Sequence, residues 1–167
     1  MRFGKIFFVI VILACIFETW RLWGITPEQM AAHFDIQGSP DRFVPKAEFF
    51  WFQIKTLLIV IGVSLPPQVL FLVMPVELIN MPNRDYWLAP ERRNDTVERL
   101  SSFGAMMFAI ILLVVQIGFE LAVSANLHTP ILFNAQLMIP VMLVSFMVIG
   151  LMLFWLAISF RRPSPND

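Results

Sequence analysis

The chain has few charged residues, one cysteine, one tyrosine and two histidines in 167 positions. Each scarcity excludes something. A single cysteine rules out a disulfide scaffold. Twelve basic residues against twelve acidic ones leave a formal charge of zero, so there is no basic excess of the kind nucleic-acid binders carry. Charged residues make up 14% of the chain, against about 25% in an average soluble domain. A soluble fold with so few would expose large apolar patches. There is also no glycine-rich phosphate loop, no nucleophile elbow and no cysteine pair. The expectation is therefore a non-enzymatic chain with no catalytic residue, no metal ligand set and no cofactor. What the sequence does have is apolar: 58% hydrophobic residues and a mean hydropathy of +0.74. This composition points to an integral membrane protein.

The charges are unevenly placed. Between residues 100 and 160 the single formally charged residue is Glu120, and 56–76 and 6–17 have none. A hydrocarbon core of about 30 Å needs about 20 apolar residues as helix, and backbone groups in lipid must be bonded within the segment. The pattern predicts an all-α polytopic protein, a bundle of four transmembrane helices over about 5–23, 49–76, 100–123 and 137–160. A loop over 24–48 and an arm over 77–99 connect them, in one membrane domain. The long apolar run after 100 is divided by Ser124-Ala125-Asn126-Leu127-His128-Thr129-Pro130, where proline and turn formers end the helix. Eight Lys and Arg fall on the side of the termini and the arm, against Arg21, Arg42, Lys46 and Lys55 on the other. That bias places both termini in the cytoplasm and the 24–48 loop outside. The start resembles a signal peptide, but no small-x-small site follows it. Ile12-Leu13-Ala14-Cys15 loosely resembles a lipoprotein cleavage site, yet bulky Ile16 and Phe17 follow. Cys15 reads as a small buried residue of the first helix.

The first loop carries the densest information. Thr26-Pro27-Glu28-Gln29 predicts a short helix to about His33, with Thr26 as its cap. Gly38, Pro40 and Asp41 predict turns, and Pro45 opens the second span. The pattern His33-Phe34-Asp35-x-x-Gly38-x-Pro40-Asp41-x-Phe43-x-x-Lys46 resembles the signature of a bacterial membrane family of unknown function. That family's domain also forms the N-terminal part of SdpI-type immunity and signalling proteins. The stretch Asn80-Met81-Pro82-Asn83-Arg84-Asp85-Tyr86-Trp87, continuing to Arg92 and Arg93, resembles a cytoplasmic motif of its short members. Nothing resembles the C-terminal half of SdpI proteins. The resemblance implies a family, a topology and a bacterial inner-membrane location rather than a reaction.

Two readings of the loop motif are open. His33, Asp35, Gly38, Asp41 and Lys46 form either a ligand- or peptide-binding surface or a structural clasp that pins spans one and two. Further polar residues mark the spans. Span three shows a stripe at a step of about four: Ser101, Ala105, Ala109, Leu113 or Leu112, Gln116, Glu120, Ser124. Glu120 is the intramembrane candidate, and Glu18 is expected to pair with Arg21. Glu18, Glu120, His33, Asp35, Asn126 and His128 gather on one face, without a fixed metal-ligand spacing. Pro66-Pro67 in span two and Pro140 in span four predict kinks or breaks. Asn80, Pro82, Asn83, Tyr86, Trp87 and Arg92 form an arm at headgroup level, followed by a helix that starts near Pro90.

The function expected is a binding, accessory or immunity-like role. Its partners are the bilayer and either another membrane protein or a second copy. One alternative is a small transporter using Glu120 and the kinked spans. The other, more weakly supported, is a metal-dependent membrane enzyme.

Overall fold

A computed structural model describes residues 3–161. Arg2 and Arg162, both counted in the charge bias, lie outside the described residues, as do the side chains of 66–72 and 76. The order of elements is α1 (Phe3–Trp23), β1 (Gln29–Phe34), β2 (Pro40–Pro45), α2 (Lys46–Val73), α3 (Arg84–Trp87), α4 (Arg93–Asn126) and α5 (Met138–Ser159). Short 3-10 turns lie at Val76–Leu78 and Ala135–Leu137. Four helices are long and apolar enough to cross a membrane, so the chain is a multi-pass membrane protein.

The boundaries follow local chemistry. Pro45 precedes α2, which starts at Lys46 rather than 49, with Glu48 in its first turn. Of the kink or break expected at Pro66-Pro67 there is no break: α2 runs through both prolines to Val73. Two adjacent prolines remove two N–H donors from the helix at this point. The third span starts at Arg93, seven residues before the apolar run, so 34 residues form one helix reaching beyond the bilayer core.

Helix α4 is the spine of the bundle. Helix α1 buries Gly4, Phe8, Val11, Cys15, Thr19 and Leu22, a stripe with steps of three and four. The stripe lies on α4, where Ala105, Ala109 and Leu112 are fully buried beside Phe8, Val11 and Cys15. The two backbones come close at the start of α1. The Gly4 N–H donates to Ser102 Oγ at 3.0 Å, and a methyl on Gly4 would overlap the Ser102 carbonyl. Small residues thus set the α1–α4 contact, as expected where lipid supplies no hydrophobic drive between helices.

Helix α2 packs on another side of α4, and α1 and α2 splay apart along most of their length. Helix α5 leans on α4 and buries none of its residues. An apolar helix of this kind is solvated by lipid on its remaining sides.

Candidate functional site

The first loop is a β-hairpin where a short helix is expected. Strands β1 and β2 pair antiparallel, with Met30 opposite Val44 and Ala31 opposite Phe43. Thr26 does not cap a helix; its hydroxyl donates to the Trp23 carbonyl at 3.3 Å. Met30, Ala31 and Val44 are buried against the bundle, and Met30 joins Leu22, Phe49, Phe50, Phe119 and Val123 in one core. Tertiary burial overrides a capping signal worth about 1 kcal/mol. A two-stranded sheet has free edges. Here the side-chain amide of Asn126 meets one of them. The Ala31 N–H donates to Asn126 Oδ1 at 2.6 Å, and Asn126 Nδ2 donates to the Ala31 carbonyl at 3.0 Å.

The motif residues hold this hairpin in place. Asp35 Oδ1 accepts from the N–H groups of Gln37 and Ser39, at 2.9 and 2.8 Å, which closes the tip. Gly38 has φ of +86°, and its carbonyl accepts from the Phe133 N–H at 2.8 Å. A side chain there would overlap the Phe133 carbonyl, so the glycine is required twice over. Phe34 stacks on Phe133 with centroids 5.1 Å apart. His33 Nδ1 lies 2.6 Å from Asp41 Oδ1 across the strands, and both side chains are exposed. Lys46 is 9% exposed; its ammonium donates to the Thr26 carbonyl at 3.1 Å and lies 4.8 Å from the centroid of Trp23. All five motif residues therefore have structural duties, which favours the clasp. Together with Asn126, it ties the hairpin to α1, to α4 and to the segment before α5.

Beneath the hairpin, polar groups continue into the bundle. Gln53 Nε2 donates to Gln116 Oε1 at 3.1 Å, and Gln116 Nε2 donates to Glu120 Oε1 at 3.1 Å. Gln53 and Gln116 are buried, at 3% and 5% exposed. Gln53 is the residue that sequence reasoning missed. Its signal was available, since Lys46, Phe50, Gln53 and Leu57 repeat at steps of three and four, the inward face of α2.

The stripe expected on α4 is right through Gln116 and then drifts. The buried face continues as Phe119, Val123 and Asn126, which leaves Glu120 half-buried and Ser124 exposed. A constant step of four overshoots a 3.6-residue turn by about 40° each time. Glu120 instead lines a cavity of about 360 Å³ with Arg21 and Leu22. Arg21 pairs with Glu18 at 2.6 Å, as expected.

A second cavity, about 390 Å³, lies between the hairpin, α2 and α4. Phe49, Phe52, Val115 and Phe119 form its apolar wall, Gln53 and Thr56 its inner polar groups, and His33, Arg42 and Glu48 its charged rim. Gln53 Oε1 takes no hydrogen bond from the described residues. It is an acceptor beside the pocket's apolar wall, of the kind that orients a ligand.

At the other end of the bundle the arm is folded against the helix ends. Asn83 Nδ2 and Trp87 Nε1 both donate to the Phe160 carbonyl at 3.0 Å, and Asn83 has φ of +52°. The Arg92 guanidinium stacks 4.0 Å from the Tyr86 centroid and donates to the Tyr86 carbonyl at 2.9 Å. Thr96 donates to the Trp87 carbonyl at 2.7 Å. The bonds from Asn83 and Trp87 anchor the residue that ends α5. Asn80 and Pro82 are exposed.

The polar groups expected to gather do not converge as a metal site. Among the described residues no three His, Cys, Asp or Glu side chains meet at such a distance. His128 instead bonds the Ser124 carbonyl at 2.7 Å, and Asn126 holds β1.

No curated protein and no solved structure matches the chain. Residues 9–56 match the family model described as a domain of unknown function, DUF1648. The matched stretch runs from α1 through the whole hairpin into α2, and contains all five residues of the clasp and Gln53.

Proposed function

We propose that this chain is a non-enzymatic membrane protein with a binding or accessory role, exercised at the hairpin-capped end of the bundle. One observation carries the reading: a clasped hairpin roofs a cavity lined by Gln53, whose carbonyl takes no hydrogen bond from the described residues. A roof fixed at Gly38, Ala31 and Lys46 pre-organises that cavity, which lowers the cost of ordering on binding. The chemistry of the walls selects a partner segment with an apolar body and a hydrogen-bond donor, such as a peptide or a loop of another membrane protein. The resemblance of the motif to SdpI-type domains supports the same reading.

The test is capture from native membranes. A stoichiometric partner is expected with the wild-type chain. Gln53→Leu should lose most of it, since a ligand donor facing no acceptor costs about 1–3 kcal/mol, or roughly tenfold or more in affinity. Equal recovery on both chains, or no partner on either, contradicts the proposal.

The motif resemblance supports a bacterial inner-membrane location, and the Lys and Arg bias supports cytoplasmic termini with the hairpin outside. Ser39 is exposed at the hairpin tip. With Ser39→Cys, a membrane-impermeant thiol reagent should label intact cells. Labelling that appears after lysis alone reverses the orientation.

A further inference from the structure

The grooves of the bundle differ in what lines them. The largest, about 840 Å³ between α1 and α2, has no charged residue in its lining and so selects no occupant. Another, of about 410 Å³, lies at the opposite end from the hairpin, between the start of α1, the first part of α4 and the last part of α5. Gly4 and Ser102, which meet where α1 and α4 come close, both line it. Met106, Val148 and Met152 belong to its apolar wall, and the lining also includes Arg99 and Trp155.

Arg99 stands at a defined depth. It is the last charged residue before the run from 100 to 160, in which Glu120 alone is charged. It therefore marks the edge of the hydrocarbon core on α4. Trp155 is of the aromatic type enriched at that level. From Arg99 and Trp155 the groove extends to Met106 and Val148, about two turns, or about 10 Å, farther along α4 and α5.

Arg99 has no counterion. It makes no ion pair or hydrogen bond among the described residues. Asp95, one turn earlier on α4, is beyond pairing distance, and Glu98 holds Lys5 of α1 at 2.7 Å. Ser102 Oγ accepts the Gly4 N–H, and its own proton has no acceptor among the described residues. Two donors, one of them charged, thus stand at the mouth of an apolar channel.

That arrangement complements an anionic amphiphile. The guanidinium fork suits a phosphate, and the walls suit hydrocarbon. A partner helix fits poorly. Close helix contacts in membranes use small residues, and here Gly4 and Ser102 are already taken by the α1–α4 contact. An apolar helix would also bury Arg99 without a counterion.

We infer that the groove between α1, α4 and α5 is a site for an anionic phospholipid, with its phosphate at Arg99 and an acyl chain along Met106, Val148 and Met152. Native mass spectrometry of the intact chain in detergent, titrated with dioleoyl phosphatidylglycerol or dioleoyl phosphatidylcholine, tests it. The expected result is one phosphatidylglycerol retained, bound roughly fivefold tighter than phosphatidylcholine, the contribution of one arginine near an anionic headgroup. Arg99→Gln should remove that preference without changing the binding of phosphatidylcholine. Arg84→Gln, on the arm and outside the groove lining, should leave the preference intact. Leu151→Trp, at a groove position 60% exposed, should weaken both lipids by filling the groove. Equal binding of the two lipids, no retained lipid, or Leu151→Trp leaving both unchanged overturns the site. So does Arg84→Gln acting as strongly as Arg99→Gln, which would assign the preference to the overall charge of that end.

Discussion

Replacing Asn126 with alanine is expected to destabilise the protein by about 2–4 kcal/mol and to release the hairpin from the bundle. The magnitude follows from what the substitution leaves behind. Ala31 is fully buried, and its N–H and carbonyl both bond the Asn126 amide. Removing the amide strands two buried backbone groups, each worth about 1–3 kcal/mol when unsatisfied. The third bond, from Nδ2 to the Ala122 carbonyl at 2.9 Å, is lost as well. Asn126→Asp should be nearly as damaging. A carboxylate can accept from Ala31 N–H, but it donates nothing to the Ala31 carbonyl and brings a charge into a buried position. Chemical denaturation in detergent, with proteolysis of the hairpin as a local readout, measures both variants. A loss below about 0.5 kcal/mol in Asn126→Ala would show that the amide is not what holds β1.

The second large effect is expected at the opposite end of the bundle. Gly4→Val should cost about 3 kcal/mol, at the upper end of what overpacking a close contact costs. A branched side chain at Gly4 meets backbone rather than a movable side chain, because the overlapping atom is the Ser102 carbonyl oxygen. The helices must separate, and the bond from the Gly4 N–H to Ser102 Oγ stretches with them. Gly104→Ala is the control. It lies on α4, two residues after Ser102, with no heavy atom within 4 Å of an added methyl. It should be neutral or slightly stabilising, by up to about 1 kcal/mol, through helix propensity. Unfolding midpoints of the two variants should therefore move in opposite directions. A shift of the same size in both would assign the effect to the glycine backbone and not to the helix crossing.

Much of the architecture was legible in the sequence because lipid makes strong demands on it. Long uncharged runs have few alternatives to spanning helices, so four spans could be read from charge placement alone. The resemblance to a family of unknown function rests on His33, Gly38, Asp41 and Lys46 at fixed offsets, and the match to a domain of unknown function over 9–56 spans those positions. The hairpin was not legible. Thr26-Pro27-Glu28-Gln29 carries the chemistry of a helix start, and the burial of Met30 and Ala31 that favours a strand depends on α2 and α4, distant in sequence. The run of small and polar residues on α4 was read correctly as one face, but its continuation to Glu120 extrapolated an integer step. Gln53 was passed over because a lone amide in an apolar run attracts less notice than a carboxylate. Its partner, Gln116, is 63 residues away and becomes visible once the two helices are packed. The arm shows the same limit, since Trp87 and Asn83 find a shared acceptor at Phe160 that no local pattern announces.

The central claim is that the motif and Asn126 clasp the hairpin onto the bundle. Residue-resolved hydrogen exchange in nanodiscs addresses it most directly. Ile36, at the tip and 95% exposed, supplies the internal reference for an open amide. The Ala31 amide is expected to exchange more than about a thousandfold more slowly than that of Ile36, and Asn126→Ala to remove most of this protection. An Ala31 amide that exchanges as fast as Ile36 in the wild-type chain would contradict it.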